Sequence, residues 1–132
     1  VDSKINALVF IPEAHLATAK ARKLLPESIP HHDAVLNASR AALLVHALGS
    51  RPDLLLDATQ DLLHQNYRKE AMPKSIALIE KLRGAGVAAV LSGAGPSVMI
   101  LYSGDEGEID QIPSMATGFT AMKLAIAKKG VE

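Results

Sequence analysis

Two stripes of polar side chains and one glycine-rich loop carry the residues able to do chemistry. Asp33, Asn37 and Arg40 recur at i, i+4 and i+7 within 31-HHDAVLNASRAALLVHAL-48, so one helix face would hold all three. Asp61, His64 or Gln65, and Arg68 repeat that spacing within 61-DLLHQNYRKEAMP-73. Either stripe reads as a solvated helix face, the more ordinary reading for the second, or as the polar wall of a pocket. In the second case an arginine would grip a carboxylate or phosphate through its two-pronged guanidinium. The third feature is 92-SGAGPS-97, where Gly93 and Gly95 flank Ala94. Such a loop is either a tight hairpin connection or a concavity of backbone amides for an anion. It has no lysine and no Walker-type spacing.

The remaining reactive residue types are less suggestive. His31 and His32 stand beside Asp33, yet the HExxH spacing of a zinc site is missing and no cysteine assists. The expectation is therefore no metal there, with His15, His46 and His64 as surface or packing residues. The absence of cysteine excludes disulfides, thiol catalysis and zinc–thiolate sites, and is compatible with a reducing cytosol.

These groups need a scaffold, and 132 residues suffice for one domain with a real core. Hydrophobic residues make up 48% but aromatics only 3%, so that core must be aliphatic. Fourteen basic residues balance fourteen acidic ones, which argues against nucleic acid and against a polybasic membrane patch. Residues 87–104 carry no charge over eighteen positions, the lower limit for a membrane span. Gly93, Gly95, Pro96 and three serines interrupt that run, so two buried strands explain it better. Val1 is followed by Asp2 and Lys4, unlike a signal peptide, and the missing initiator Met suggests a fragment.

Along the chain, 5-INALVFI-11 reads as a buried strand and 13-EAHLATAKARKLL-25 as an amphipathic helix. A strong helix over 32–48 stops at Gly49, and Pro52 opens another. The helical pattern continues through 61–72, and 74-KSIALIEKLRGAG-86 gives a further helix after Pro73. Strands follow at 87–91 and 97–102, then a short helix near 108–116 and a strand within 118–127. The expected fold is α+β, an antiparallel sheet with helices on one face.

Three motifs in order resemble the homoserine kinase family of the GHMP kinase superfamily. The loop 92-SGAGPS-97 between 87-VAAVL-91 and 98-VMIL-101 is similar to that superfamily's third motif. The run 31–48, with Asn37 and Arg40 three apart, resembles a homoserine kinase helix, and 61–73 resembles the segment bearing H…YR…MP. The opening 8-LVFIPEAHLATAKARKLLP-26 is similar to the family's strand and helix ending in Leu-Pro. The likeness covers roughly residues 5–128. It implies a ferredoxin-like C-terminal lobe that is one domain over residues 1–132, without the N-terminal lobe that carries the main ATP loop and the Mg²⁺ carboxylate. It further implies L-homoserine and ATP as ligands, threonine biosynthesis as the role, and a cytoplasmic location. Arg40 and Arg68 would bind the substrate carboxylate, with Asn37 in support, and Ser92, Gly93, Ala94, Gly95, Pro96 and Ser97 would close on phosphate. No catalytic residue is placed on this chain, which by itself should be inactive and should expose an apolar face through which it could dimerise. Alternatives are a mevalonate-type GHMP kinase, or a ferredoxin-like module that binds an amino acid without turnover.

Overall fold

The computed structural model describes residues 1–13, 18–104 and 109–127. Four strands form its centre: β1 (Ile5–Pro12), β2 (Ala88–Leu91), β3 (Val98–Ser103) and β4 (Phe119–Leu124). The sheet order is β2-β3-β1-β4 and every neighbouring pair is antiparallel. Leu8 lies opposite Ile100, Phe10 opposite Val98 and Leu91 opposite Val98. The two-residue period of a strand therefore gathers these side chains on one face. The alternate positions Ile5, Ala7 and Val9 share the other face with Met99, Leu101 and Ala88.

Four α-helices follow or interrupt these strands: α1 (Thr18–Arg22), α2 (His31–Ser50), α3 (Leu55–Ala58) and α4 (Pro73–Gly84). On the first face Ile76, Ile79 and Leu82 of α4, with Ile109 and Ile112, pack against Leu8, Phe10, Val98 and Ile100. Phe10, Leu82, Val98 and Ile100 are wholly buried there. On the second face Ala47 of α2, with Leu55 and Ala58 of α3, packs against Ile5 and Ala88. The expected ferredoxin-like α+β sheet is thus what the chain forms, with α4 and the 109–116 region sharing one face. The expectation that all helices lie on one face does not extend to α2 and α3, which cover the opposite one. Alternating strand positions are apolar on both sides, so a second layer is required.

Most element boundaries fall within two or three residues of their expected places. The helix expected over 61–72 does not form: only a 3-10 turn, Asn66–Arg68, appears. Asp61 is the reason. Its Oδ1 accepts from the amides of Leu63 (2.8 Å) and His64 (3.0 Å), and its Oδ2 accepts from Gln65 (3.2 Å). A carboxylate that takes three successive amides holds a local turn in competition with a continuing helix. The helix expected over 13–25 is present as the five residues of α1, and positions 14–17, including His15, lie outside the described residues.

Candidate functional site

Arg68 sits at the end of the 3-10 turn and is 5% exposed. Its Nη1 donates to the carbonyl of Gly93 at 3.1 Å, while its Nε is buried without a hydrogen-bond partner among the described residues. A guanidinium has five N–H donors and cannot shed its charge, so a buried Nε–H without an acceptor is costly. It lines a cleft of about 490 Å³ with Arg22, Asp61, His64, Gln65, Gly93 and Ala94. The arginine and the glycine-rich loop, 25 residues apart in sequence, form one structure.

The loop is held from beneath and open above. The Ser92 amide donates to Ser97 O (2.8 Å), Gly95 N donates to Ser92 O (3.0 Å), and the Ser75 hydroxyl of α4 donates to Pro96 O. Gly93 has φ +58° and Gly95 φ +77°, whereas no non-glycine residue has positive φ. Signs therefore alternate through Gly93, Ala94 and Gly95, the geometry by which successive amides turn toward one concavity. The amides of Gly93 and Ala94 have no hydrogen-bond partner among the described residues. The Gly95–Pro96 peptide is cis. The two glycines differ in surroundings: a Cβ on Gly95 would lie 2.6 Å from Met72 Sδ, whereas one on Gly93 would meet nothing within 4 Å.

Arg40 occupies a neighbouring place. It lines a second cavity, of about 250 Å³, with Asn37, Ala41 and Leu44 of α2 and with Asp61, His64, Val90 and Met99. Neither a hydrogen bond nor an ion pair joins it to any described residue. Its positive charge is close enough to depress the pKa of Arg83, after the larger effect of that side chain's own burial. Asn37 lines that cavity too, and its Oδ1 accepts from Leu62 N at 3.1 Å, which ties α2 to the 61–65 turn. The two arginines thus line adjacent cavities on either side of that turn, and Asp61, His64 and Val90 line both. His64 Nδ1 lies 3.1 Å from Asp61 Oδ1, with the imidazole half exposed.

Three contributions escaped the sequence reading, although Asp61 and Gln65 stood in its second stripe. Gln65 is buried, and its Oε1 accepts from Leu91 N at 2.8 Å, satisfying the β2 edge beside the loop. Arg83 of α4 donates through Nη1 to Thr59 Oγ1 (2.9 Å) and Ala89 O (3.3 Å), and through Nη2 to Leu56 O. One side chain therefore locks α3, α4 and β2 together. Asp61 was visible as a stripe member, but its capping role was not. The signal that could have found it is an Asp placed before a short polar run, the ordinary N-cap pattern.

An antiparallel sheet with open loop amides beside a buried, under-satisfied arginine offers the donors that an anionic ligand would need. The chain belongs to the GHMP kinases: residues 34–115 match the family model for the C-terminal domain of those enzymes. Among individual proteins it is 52% identical over 127 residues to the homoserine kinase of Streptomyces coelicolor, spanning 96% of this chain and 40% of that protein. It is also 52% identical over all 132 residues to the homoserine kinase of Rhodococcus erythropolis, covering 42% of it. The crystal structure of homoserine kinase from Cytophaga hutchinsonii superposes with a TM-score of 0.76 at 23% identity, over 94% of this chain and 42% of that one. This last likeness is one of fold. The chain spans about two fifths of the length of the curated relatives it matches.

Proposed function

We propose that this chain is the C-terminal, substrate-binding part of a homoserine kinase, which transfers the γ-phosphoryl group of ATP to the side-chain hydroxyl of L-homoserine. The reading is supported by relatives of that name at about half identity over nearly the whole chain. The observation that carries it is Arg68, 5% exposed, with a partnerless Nε in a cleft shared with Gly93 and Ala94. In this reading Arg68 and Arg40 hold the substrate carboxylate, and Asn37 positions the turn between them. The open amides of Gly93 and Ala94, with Ser92 and Ser97 beside them, suit a phosphate group of ATP. Such groups promote phosphoryl transfer by position and charge stabilisation.

The site is half of one. Among the described residues no group of three or more His, Asp or Glu could hold a metal ion. In this reading Mg²⁺ and the bulk of ATP belong to an N-terminal lobe of the same enzyme, which would pack against this domain, as in the family the chain resembles. In this reading the enzyme works in threonine biosynthesis in the cytoplasm. The test is ATP-dependent phosphorylation by the full-length gene product, offered homoserine, mevalonate and galactose in parallel. Turnover of homoserine is expected, and turnover of mevalonate or galactose alone would overturn the reading.

A further inference from the structure

Four side chains of one short segment meet residues 91–96 in order. Gln65 Oε1 accepts from Leu91 N at 2.8 Å, and Arg68 Nη1 donates to Gly93 O at 3.1 Å. Met72 lies beneath Gly95, and the Ser75 hydroxyl donates to Pro96 O. The first two also line the cleft, whereas Met72 and Ser75, 4% and 2% exposed, do not. Met72 belongs to the core with Leu8, Phe10 and Val98, and no room is left above it. A Cβ on Gly95 would lie 2.6 Å from its Sδ and 3.1 Å from its Cε. Gly95 therefore rests directly on the core and cannot sink. Ser75 acts in the opposite sense. A serine in the first turn of a helix ordinarily bonds to backbone close by in sequence. This hydroxyl instead crosses 21 residues to Pro96 O, to which no described backbone amide donates. A loop that can neither sink nor lift holds the partnerless amides of Gly93 and Ala94 in one place.

We propose that Ser75 and Met72 are positioning residues for phosphoryl transfer, setting the 92–97 loop from the side away from the ligand. The proposal rests on the kinase reading above, in which that loop receives a phosphate group of ATP. Neither residue touches substrate in this role; each acts through the loop. Donors fixed in advance stabilise developing charge without reorganising during the reaction. A displacement of about 1 Å among such groups can cost roughly a hundredfold in rate. Loss of the Ser75 hydroxyl leaves Pro96 O without its donor and frees the loop exit. Loss of the Met72 side chain removes the floor under Gly95. Both changes fall on the nucleotide step, because neither residue lines the cavity of Arg40.

The experiment compares Ser75→Ala with the wild type in the full-length enzyme, varying ATP and homoserine separately. Ser75→Ala removes a single oxygen and is expected to lower kcat/KM for ATP roughly tenfold, with KM for ATP itself raised. KM for homoserine stays within about twofold of the wild type. Ser75→Thr keeps the hydroxyl and recovers most of the loss. Met72→Ala reproduces the ATP defect, and Met72→Leu, close in volume, recovers it. A second readout needs no turnover. At saturation, a non-hydrolysable ATP analogue with Mg²⁺ slows amide exchange at residues 93–95 in the wild type, and slows it less in Ser75→Ala. A merely structural serine would lower stability and the amount of active enzyme, with both KM values and this protection unchanged. A wild type that does not phosphorylate homoserine sinks the kinase reading and this proposal with it. A working enzyme whose Ser75→Ala variant keeps the wild-type KM for ATP and the protection, or loses homoserine affinity by the same factor, overturns this proposal alone.

Discussion

Arg68 and Arg40 differ in what replacing them should do, because only Arg68 also braces the loop. Arg40→Ala removes a side chain that no described residue engages, so its effect should fall on homoserine KM, by about 2–4 kcal/mol if the contact is desolvated. Arg68→Ala also frees Gly93 O, and kcat should fall together with the rise in KM. Lysine should rescue neither well, since a point charge lacks the planar fork. The glycines offer a sharper contrast, measurable by denaturant unfolding. Gly93→Ala meets open space and should cost about 1 kcal/mol, for the left-handed backbone alone. Gly95→Ala combines positive φ with a clash at Met72 and should cost about 2–4 kcal/mol. Equal losses at the two sites would show that the loop is not seated on Met72.

Among the secondary-structure elements, the site depends on side chains that bond across them. Arg83 links α4 to the end of α3 and to β2, and its truncation would leave the carbonyls of Leu56 and Ala89 without that donor. Arg83→Ala should lower unfolding stability by about 2–3 kcal/mol, in line with hydrogen bonds to a charged group. Its effect on homoserine KM should be smaller than that of Arg40→Ala. Asn37→Ala leaves Leu62 N without its acceptor and should cost about 1–2 kcal/mol. It should also loosen the turn bearing Asp61 and His64, which faster amide exchange at residues 62–65 would reveal. Unchanged exchange there would show that α2 does not hold the turn.

At the scale of the whole molecule, α2 is apolar around most of its girth and finds a partner on only one side. Ala47 is buried against α3, whereas Val35 is 50% and Val45 74% exposed. On β4, Met122 and Leu124 are also exposed, on the sheet face that carries Ala7 and Val9. A helix apolar all round is ordinarily buried all round. In isolation the 132-residue chain should fold yet present this surface, bind an apolar dye and self-associate with rising concentration. A monomer at high concentration in sedimentation, with no dye response, would count against that expectation. The isolated chain should also show no ATP-dependent phosphorylation of homoserine, since measurable turnover would place the whole site within it.

By itself the sequence determined the strands, the long helix and the α+β class, because two-residue and 3.6-residue hydrophobic periods are local properties of a chain, while the ferredoxin-like arrangement came from the family resemblance. It also marked Arg40, Arg68 and the 92–97 loop, since glycine and arginine have few substitutes in their roles. Tertiary structure decided what those residues share. The stripe 61–68 obeyed helical spacing and still made no helix, because Asp61 spends its carboxylate on three amides. Side-chain reach across 25 residues joined Arg68 to Gly93 and Asn37 to Leu62. Long-range hydrogen bonds leave no periodic trace in a sequence, so the bracing of the loop by Arg68, the clasp of Arg83 and the place of His64 between two cavities became visible only once the chain had closed on itself.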